Sequence, residues 1–302
     1  MTDTVEACPK ASARLRSNSF LSRFFRSKVA MVGAFMLALI VFAACAAPWI
    51  APQNPFDLAA LDILDSRLPP GSTSSGGMMY LLGTDPQGRD MLSAILYGLR
   101  ISLSVGLAST VIALIVGGTV GLLAGYRSGW IDSIIMRIVD MQLSFPSILV
   151  ALILISVLGQ GWGKVVAALV TVQWAYYART VRSSAIVEEQ KDYIKAARGL
   201  ALSTPRIIFK YLLPNCLPPL LVIASVQIAH AIALEATLSF LGIGLPITEP
   251  SLGLLVANGY EYMLSGNYWI SFFPGVALLL TIVAINLVGD RLRELLNPRF
   301  AI

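Results

Sequence analysis

Residues 183–214 read SSAIVEEQKDYIKAARGLALSTPRIIFKYLLP. The stretch is basic and amphipathic, and strongly apolar segments lie on both sides of it. A chain that only had to cross a bilayer would not need such a loop. It implies a surface offered to a soluble partner, on the side of the membrane where Lys and Arg collect.

The surrounding chain fits that reading. Of 302 residues, 56% are hydrophobic and 13% charged, whereas soluble domains carry about 25% charged residues. The deficit defines the class as an all-α, polytopic membrane helical bundle. The net charge of +5 could point to nucleic acid, but the basic residues sit in loops beside apolar spans, where an anionic lipid surface accounts for them. Cys8, Cys45 and Cys216 are far apart and form no disulfide framework or metal motif. His230 is the only histidine, so no multi-histidine metal site is expected, and no cofactor.

A hydrocarbon core of about 30 Å requires roughly 20 apolar helical residues. Five segments qualify: Val29–Ile50, Ser102–Tyr126, Ile131–Leu158, Leu217–Leu245 and Trp269–Val288. A sixth, Val165–Tyr177, is short. Charge decides whether it spans. With six spans and a cytoplasmic N-terminus, 18 of the 22 Lys and Arg residues fall inside. Only Arg67, Arg89, Arg100 and Lys164 fall outside. Without the short span the balance reverses to 8 inside and 14 outside. The positive-inside rule therefore predicts six transmembrane helices with both termini in the cytoplasm. The first apolar run is too long for a signal-peptide core and more spans follow it, so it reads as a retained helix.

Residues 1–28 read as a cytoplasmic N-terminal tail, 29–50 as the first transmembrane helix, and 51–98 as an external loop. Residues 99–302 read as a five-helix core carrying the 183–214 loop. The loop at Pro246–Tyr268 holds Glu249 and Glu261 but no Lys or Arg. Gly117, Gly121 and Gly125 form a stripe at four-residue spacing that favours close helix packing. Pro146 and Pro274 fall inside spans, where a kink is expected.

Within the basic loop, Asp192 is expected to cap a short helix running through Lys195, Ala196, Ala197 and Ala201. Ala197 and Ala201 are expected to leave a flat docking surface; Ala197→Trp or Ala201→Arg would then block transport. Ser203 or Thr204 caps a second helix with Pro205 at its start, and Pro214 ends it.

Lys195-Ala196-Ala197, Ala201 after three residues, and Tyr211-x-Leu213-Pro214 after nine more resemble the EAA loop of ABC importer membrane subunits. That family's pattern is Glu-Ala-Ala, three residues, Gly, nine residues, Ile-x-Leu-Pro. The spacing matches, while Lys195, Ala201 and Tyr211 replace Glu, Gly and Ile. A second motif, Gly83-Thr84-Asp85-Pro86-Gln87-Gly88-Arg89-Asp90, is similar to the signature of C-type permeases of the dipeptide/oligopeptide/nickel group. Leu238-Ser239-Phe240-Leu241-Gly242 is similar as well. The likeness runs from Phe24 to Pro298.

It implies a type I ABC importer permease fold in a bacterial cytoplasmic membrane, without catalysis of its own. It also implies a heterodimer with a homologous B-type permease, two cytoplasmic ATP-binding subunits and an external solute-binding protein. Asp192, Lys195, Ala196, Ala197, Ala201, Leu213 and Pro214 would couple to the ATPases. Gly83, Thr84, Asp85, Gly88, Arg89 and Asp90 would form a structural turn, with Asp85, Arg89 and Asp90 pairing across it. Peptides are the implied cargo, with nickel or another small solute as the alternative in the family.

Glu235 is the one acidic residue deep within a span, and so a candidate for the translocation path or for a buried hydrogen bond between helices. His230 lies five residues away, about 140° around the helix, so the two do not form a proton relay. Gly159–Lys164 invites comparison with a phosphate-binding loop. The first glycine of that pattern would fall on Leu158 and its final Ser or Thr on Val165, so no ATP site is expected here. The reading from a different class is an ion-gradient-driven secondary transporter, which usually carries clustered intramembrane charges.

Overall fold

The computed structural model describes residues 23–56, 61–74, 76–127 and 129–296. Most of the tail assigned to 1–28, and Arg299, lie outside the described residues. The architecture is a helical bundle with one small hairpin. Helix α1 is Lys28–Ile50, opened by Ser27, whose side chain accepts from the Ala30 amide at 3.4 Å. Strands β1 (Ser72–Thr73) and β2 (Met79–Tyr80) pair antiparallel. Helix α2 is Met91–Tyr126, α3 is Trp130–Ser144, α4 is Ser147–Leu158, and α5 is Trp162–Glu189. Then come α6 (Asp192–Gly199), α7 (Thr204–Ile207), α8 (Leu213–Phe240), α9 (Leu252–Tyr260) and α10 (Trp269–Leu296).

Three boundaries differ from the sequence reading. First, α2 begins at Met91, so the segment expected to be an external loop to residue 98 already contains its first two turns. Asp90 sets that start, its carboxylate accepting from the Ser93 amide at 2.8 Å and the Ser93 hydroxyl at 2.6 Å. Second, the expected span Ile131–Leu158 is two helices meeting at 92°. Pro146 stands at the break rather than inside a helix. It has no N–H for the ladder, and it holds Phe145 in the extended region at φ −91°, ψ 141°. Arg182 of α5 grips Asp132 of α3 with two bonds of 2.5 and 2.6 Å, and Arg179 pairs with Asp140. Third, the short segment Val165–Tyr177 is the middle of a 28-residue helix, α5.

Among the described residues, four helices are long and apolar enough to cross a membrane, or five if the bent α3–α4 pair is one span. Helix α5 is long enough but less apolar. Its apolar residues Val165, Leu169, Val172, Ala175, Tyr177 and Ala178 are buried against other helices, while Lys164, Thr171, Arg179 and Ser183 line an exposed, polar face. The glycine stripe of α2 makes this possible. A Cβ on Gly117 would stand 2.2 Å from the Trp174 carbonyl oxygen, and one on Gly121 would stand 2.4 Å from that of Ala178. Two backbones can approach this closely only where neither side chain intervenes.

Helices α7 and α8 are continuous with each other. Residues Ile208–Leu212 form a π turn between them, closed by the Leu213 amide on the Ile208 carbonyl, so the helical rod runs from Thr204 to Phe240. Pro214 therefore does not end the second loop helix, as expected from the sequence. A proline ring clashes with the carbonyl four residues before it and offers no N–H. The wider turn absorbs that mismatch without breaking the rod. The Asn215 side chain donates to the Tyr211 carbonyl at 2.6 Å.

Candidate functional site: coupling loop, outer bracket and buried carboxylate

At one end of the bundle, α6 and α7 fold over the ends of α2 and α8. Ile194, Ala197 and Ile207 are buried together, with Tyr126, Leu202 and Tyr211 packed around them. This corrects two sequence expectations. Asp192 is the first residue of α6 and not its cap; Lys191 holds the cap position without a side-chain bond. Asp192 instead pairs with Lys195 at 3.4 Å across the exposed face. Ala197 faces inward, so it forms the loop's own small core and not a surface for a partner. A tryptophan there would disrupt this core directly.

Ala201 has a different role. Its φ is +54°, the left-handed conformation that favours glycine. The Leu202 amide donates to Ala197 O at 3.2 Å and the Ala201 amide to Arg198 O at 2.9 Å. Together these form a Schellman motif, with Leu202 packed back on Ala197. This explains why glycine stands here in the pattern that the loop resembles: the position calls for a backbone conformation. Ser203 occupies the next cap position, with Pro205 in the first turn, and makes no side-chain bond. The outward surface includes Ala196, Ala201 and two large apolar residues missed in the sequence, Leu200 (75% exposed) and Phe209 (66%), among exposed charged residues such as Lys195 and Arg206. Leu213 is half-buried and Pro214 lies within the rod.

The loop is clamped to α5. Glu188 accepts from Lys191 Nζ at 2.5 Å and from the Tyr193 hydroxyl, and Arg198 pairs with Glu189. Burial pushes the Glu188 carboxyl up, but the Lys191 and Tyr193 hydrogen bonds outweigh it and hold the group below its ordinary value. Tyr193 is pushed up to about 12, by burial first and then by its bond to Glu188.

At the opposite end, residues 83–90 form a bracket. Asp85 accepts from the amides of Gln87 (2.8 Å) and Arg89 (2.9 Å) and from Arg89 Nε at 2.7 Å. Arg89 is fully buried, and its Nη1 reaches the Ile247 carbonyl at 3.4 Å. Asp90 does not join this pair; it caps α2. Thr84 donates to the Asp65 carbonyl at 2.6 Å, and Trp269 donates to the Thr84 carbonyl at 3.2 Å. Gly83 and Gly88 both have φ +79°, and a Cβ on Gly88 would stand 2.3 Å from the Asp62 carbonyl oxygen.

Glu235 lies between these ends and is fully buried. Ser102 of α2 donates to it at 3.0 Å and Ser239 at 2.8 Å. Ser251, which precedes α9, lies beside the carboxylate, its hydroxyl oxygen accepting from the Leu254 amide at 3.3 Å. The Ser102 oxygen in turn accepts from the Leu252 amide at 3.4 Å. The carboxylate thus ties α2, α8 and α9 together. His230 packs elsewhere, with Nδ1 buried and without a hydrogen-bond partner among the described residues.

A broken span, a small-residue helix pair and a two-helix loop at one end describe a polytopic membrane subunit. The comparisons place it more closely. Residues 117–302 match the family described as binding-protein-dependent transport system inner membrane component. Residues 17–70 match the N-terminal TM domain of oligopeptide transport permease C. The chain belongs to this family. It is 39% identical over 281 residues to the di/tripeptide transport system permease protein DppC of Pseudomonas aeruginosa, covering 93% of this chain and 91% of that protein. It is 42% identical over 281 residues to the dipeptide transport system permease protein DppC of Escherichia coli K12, covering 93% and 92%. Its fold is similar to that of a chain in the inward-facing MetNI methionine ABC transporter. The TM-score is 0.56 at 21% identity, over 68% of this chain and 98% of that one.

Proposed function

We propose that this chain is the C-type permease subunit of a peptide importer. It pairs with a homologous B-type permease, two cytoplasmic ATP-binding subunits and an external solute-binding protein. It catalyses nothing itself, and both of its termini face the cytoplasm of a bacterial cell. The peptide cargo rests on the named relatives, and the orientation on the distribution of Lys and Arg.

The observation that carries the mechanism is the unbroken rod Thr204–Phe240. One end bears the exposed Phe209, beside Leu200 on the loop that α7 closes. The other end bears Glu235 and Ser239. ATP binding closes the ATPases and draws the docked loop with them. Helix α8 cannot stay still while α7 moves, so the displacement reaches the Glu235 bracket and α9 at the outer side. A ligand shifts such an equilibrium only by its differential affinity for the two states; here nucleotide on the partner supplies that difference. The test is peptide uptake by the complete transporter in proteoliposomes with the membrane potential collapsed. Uptake that persists and requires ATP supports the reading. Uptake that stops without the potential favours an ion-coupled carrier.

A further inference from the structure

Helices α1, α2, α8 and α10 enclose a half-open crevice of about 530 Å³. Its back wall is tight. Ala44, Ile285 and Gly289 are buried there, and a Cβ on Gly289 would stand 2.8 Å from Ser225 Oγ. Its open side carries Val41 (43% exposed) and Leu107 (56%), so the crevice faces out of the bundle between α1 and α2. The lining runs from Arg100 to Leu107 on α2 and from Leu37 to Cys45 on α1, about 10 and 12 Å at 1.5 Å per residue. A slot of that length, open sideways within the apolar runs of its own helices, has hydrocarbon beside it.

One charge stands in this wall. Arg100 lies at the end of the crevice nearer the 83–90 bracket, two residues before the apolar run Ser102–Tyr126. It is exposed, and it makes no hydrogen bond or ion pair among the described residues. The wall serines are satisfied. Ser104 donates to the Ile101 carbonyl at 2.8 Å and accepts from Trp162 Nε1 at 3.0 Å, and Ser225 donates to the Val222 carbonyl at 2.8 Å. Arg67 and Arg89, toward the same end, have partners in the Tyr262 ring and Asp85. Among the described residues no Asp or Glu lines the crevice. A guanidinium beside hydrocarbon is costly unless it meets an anion or reaches the interface. Phosphate suits it, because two of its oxygens accept the guanidinium fork in parallel.

We propose that this crevice binds one anionic phospholipid from the leaflet on the bracket side. Its phosphate sits on Arg100, and one acyl chain runs along Leu103, Leu107 and Ile228. The pairing of one free cation with an apolar slot selects this ligand. A soluble anion has no use for the slot, and an uncharged helix from another subunit leaves Arg100 unpaired. A zwitterionic head is the poorer fit, since its cation finds no carboxylate on the wall. Basic pockets between membrane helices bind lipid head groups on the same principle. The acyl chain fills the gap between α1 and the α8 rod, because Leu37 and Val41 line one side and Ser225 and Ile228 another. The proposal depends on neither the cargo nor the orientation of the chain.

The experiment uses the complete transporter in phosphatidylcholine nanodiscs that contain a trace of phosphatidylglycerol with a photoactivatable group at the end of one acyl chain. Illumination followed by peptide mapping locates the adducts. Wild type should be labelled on crevice residues of α1, α2, α8 or α10, and unlabelled phosphatidylglycerol should compete. The same photoactivatable chain on a phosphatidylcholine head should label these residues more weakly, a comparison that needs no variant. Arg100→Gln should lower crevice labelling about ten- to hundredfold at low probe concentration, the ratio for one lost hydrogen bond to a charged group. Arg100→Lys, which keeps the charge, should retain part of it. Absence of crevice adducts in wild type overturns the proposal. So does labelling that is equal for both head groups and unchanged in Arg100→Gln, which marks bulk lipid only. A photoreactive side chain at position 107 that cross-links to another subunit and not to lipid also overturns it, since the crevice is then a protein interface.

Discussion

The Ser102 hydroxyl donates to the Glu235 carboxylate at 3.0 Å, across 133 residues of sequence. This bond, with that from Ser239, makes a fully buried carboxylate the junction of α2 and α8, and the Leu252 amide on the Ser102 oxygen adds α9. A role in the path would require Glu235 to meet cargo, whereas a junction requires only that its serines stay paired. Glu235→Gln should therefore retain folding and most transport. Glu235→Leu strands the Ser102 and Ser239 hydroxyls and should lower stability by about 1–3 kcal/mol for each group left unpaired. Thermal unfolding in detergent, alongside uptake, separates the two roles.

The contact of Gly117 with the Trp174 backbone predicts a steep steric penalty. Gly117→Val should cost at least about 1–3 kcal/mol from overpacking and reduce the yield of folded protein. Gly118 is the control, because a Cβ there meets nothing within 4 Å. Gly118→Ala should be neutral or stabilising by about 0.5–1 kcal/mol, as helical glycine is unfavourable relative to alanine. Similar losses at both positions would contradict the packing.

Ala201, at φ +54°, should be improved by glycine. Ala201→Gly is expected to stabilise the loop by about 1 kcal/mol, since a left-handed conformation costs a residue with Cβ roughly 1–2 kcal/mol. Ala201→Val should do the reverse. Hydrogen exchange of amides 194–212 reads both changes.

Acid should loosen the loop's clamp on α5. Glu188 is held below its ordinary value in the folded protein. Its contribution is therefore complete above the unfolded carboxylate value and is lost as pH falls through the lower folded one. Tyr193, pushed up to about 12, keeps its proton throughout that titration. Exchange protection of the loop should fall in acid for wild type, and Glu188→Gln should remove the step.

What the sequence revealed followed the length scale of each signal. Long apolar runs marked α1, α8 and α10, and the glycine stripe marked close packing before its partner was known. Apolarity understated α5, because one face of that helix is apolar and buried while the other carries exposed Lys164, Thr171, Arg179 and Ser183. The charge balance, which depends on loops and not on the helix, is what predicts that it spans. Pro146 and Pro214 look alike as prolines in apolar sequence, yet one ends a helix and the other sits in a rod. The difference lies in the π turn before Pro214, which leaves no pattern in residue type. The spacing of alanines placed the loop helices, but not which alanine faces inward; that depends on Ile207 and Tyr211 packing onto Ala197.

The central claim is that the loop and α8 move as one body. Spin labels at positions 209 and 237, both exposed on the rod, measure it in the complete transporter with and without ATP. The account predicts one 209–237 distance in both states, while the distance from position 209 to the same site on the partner permease changes. A 209–237 distance that changes with nucleotide, in a transporter that still imports, would show that the rod bends at the π turn and would contradict the account.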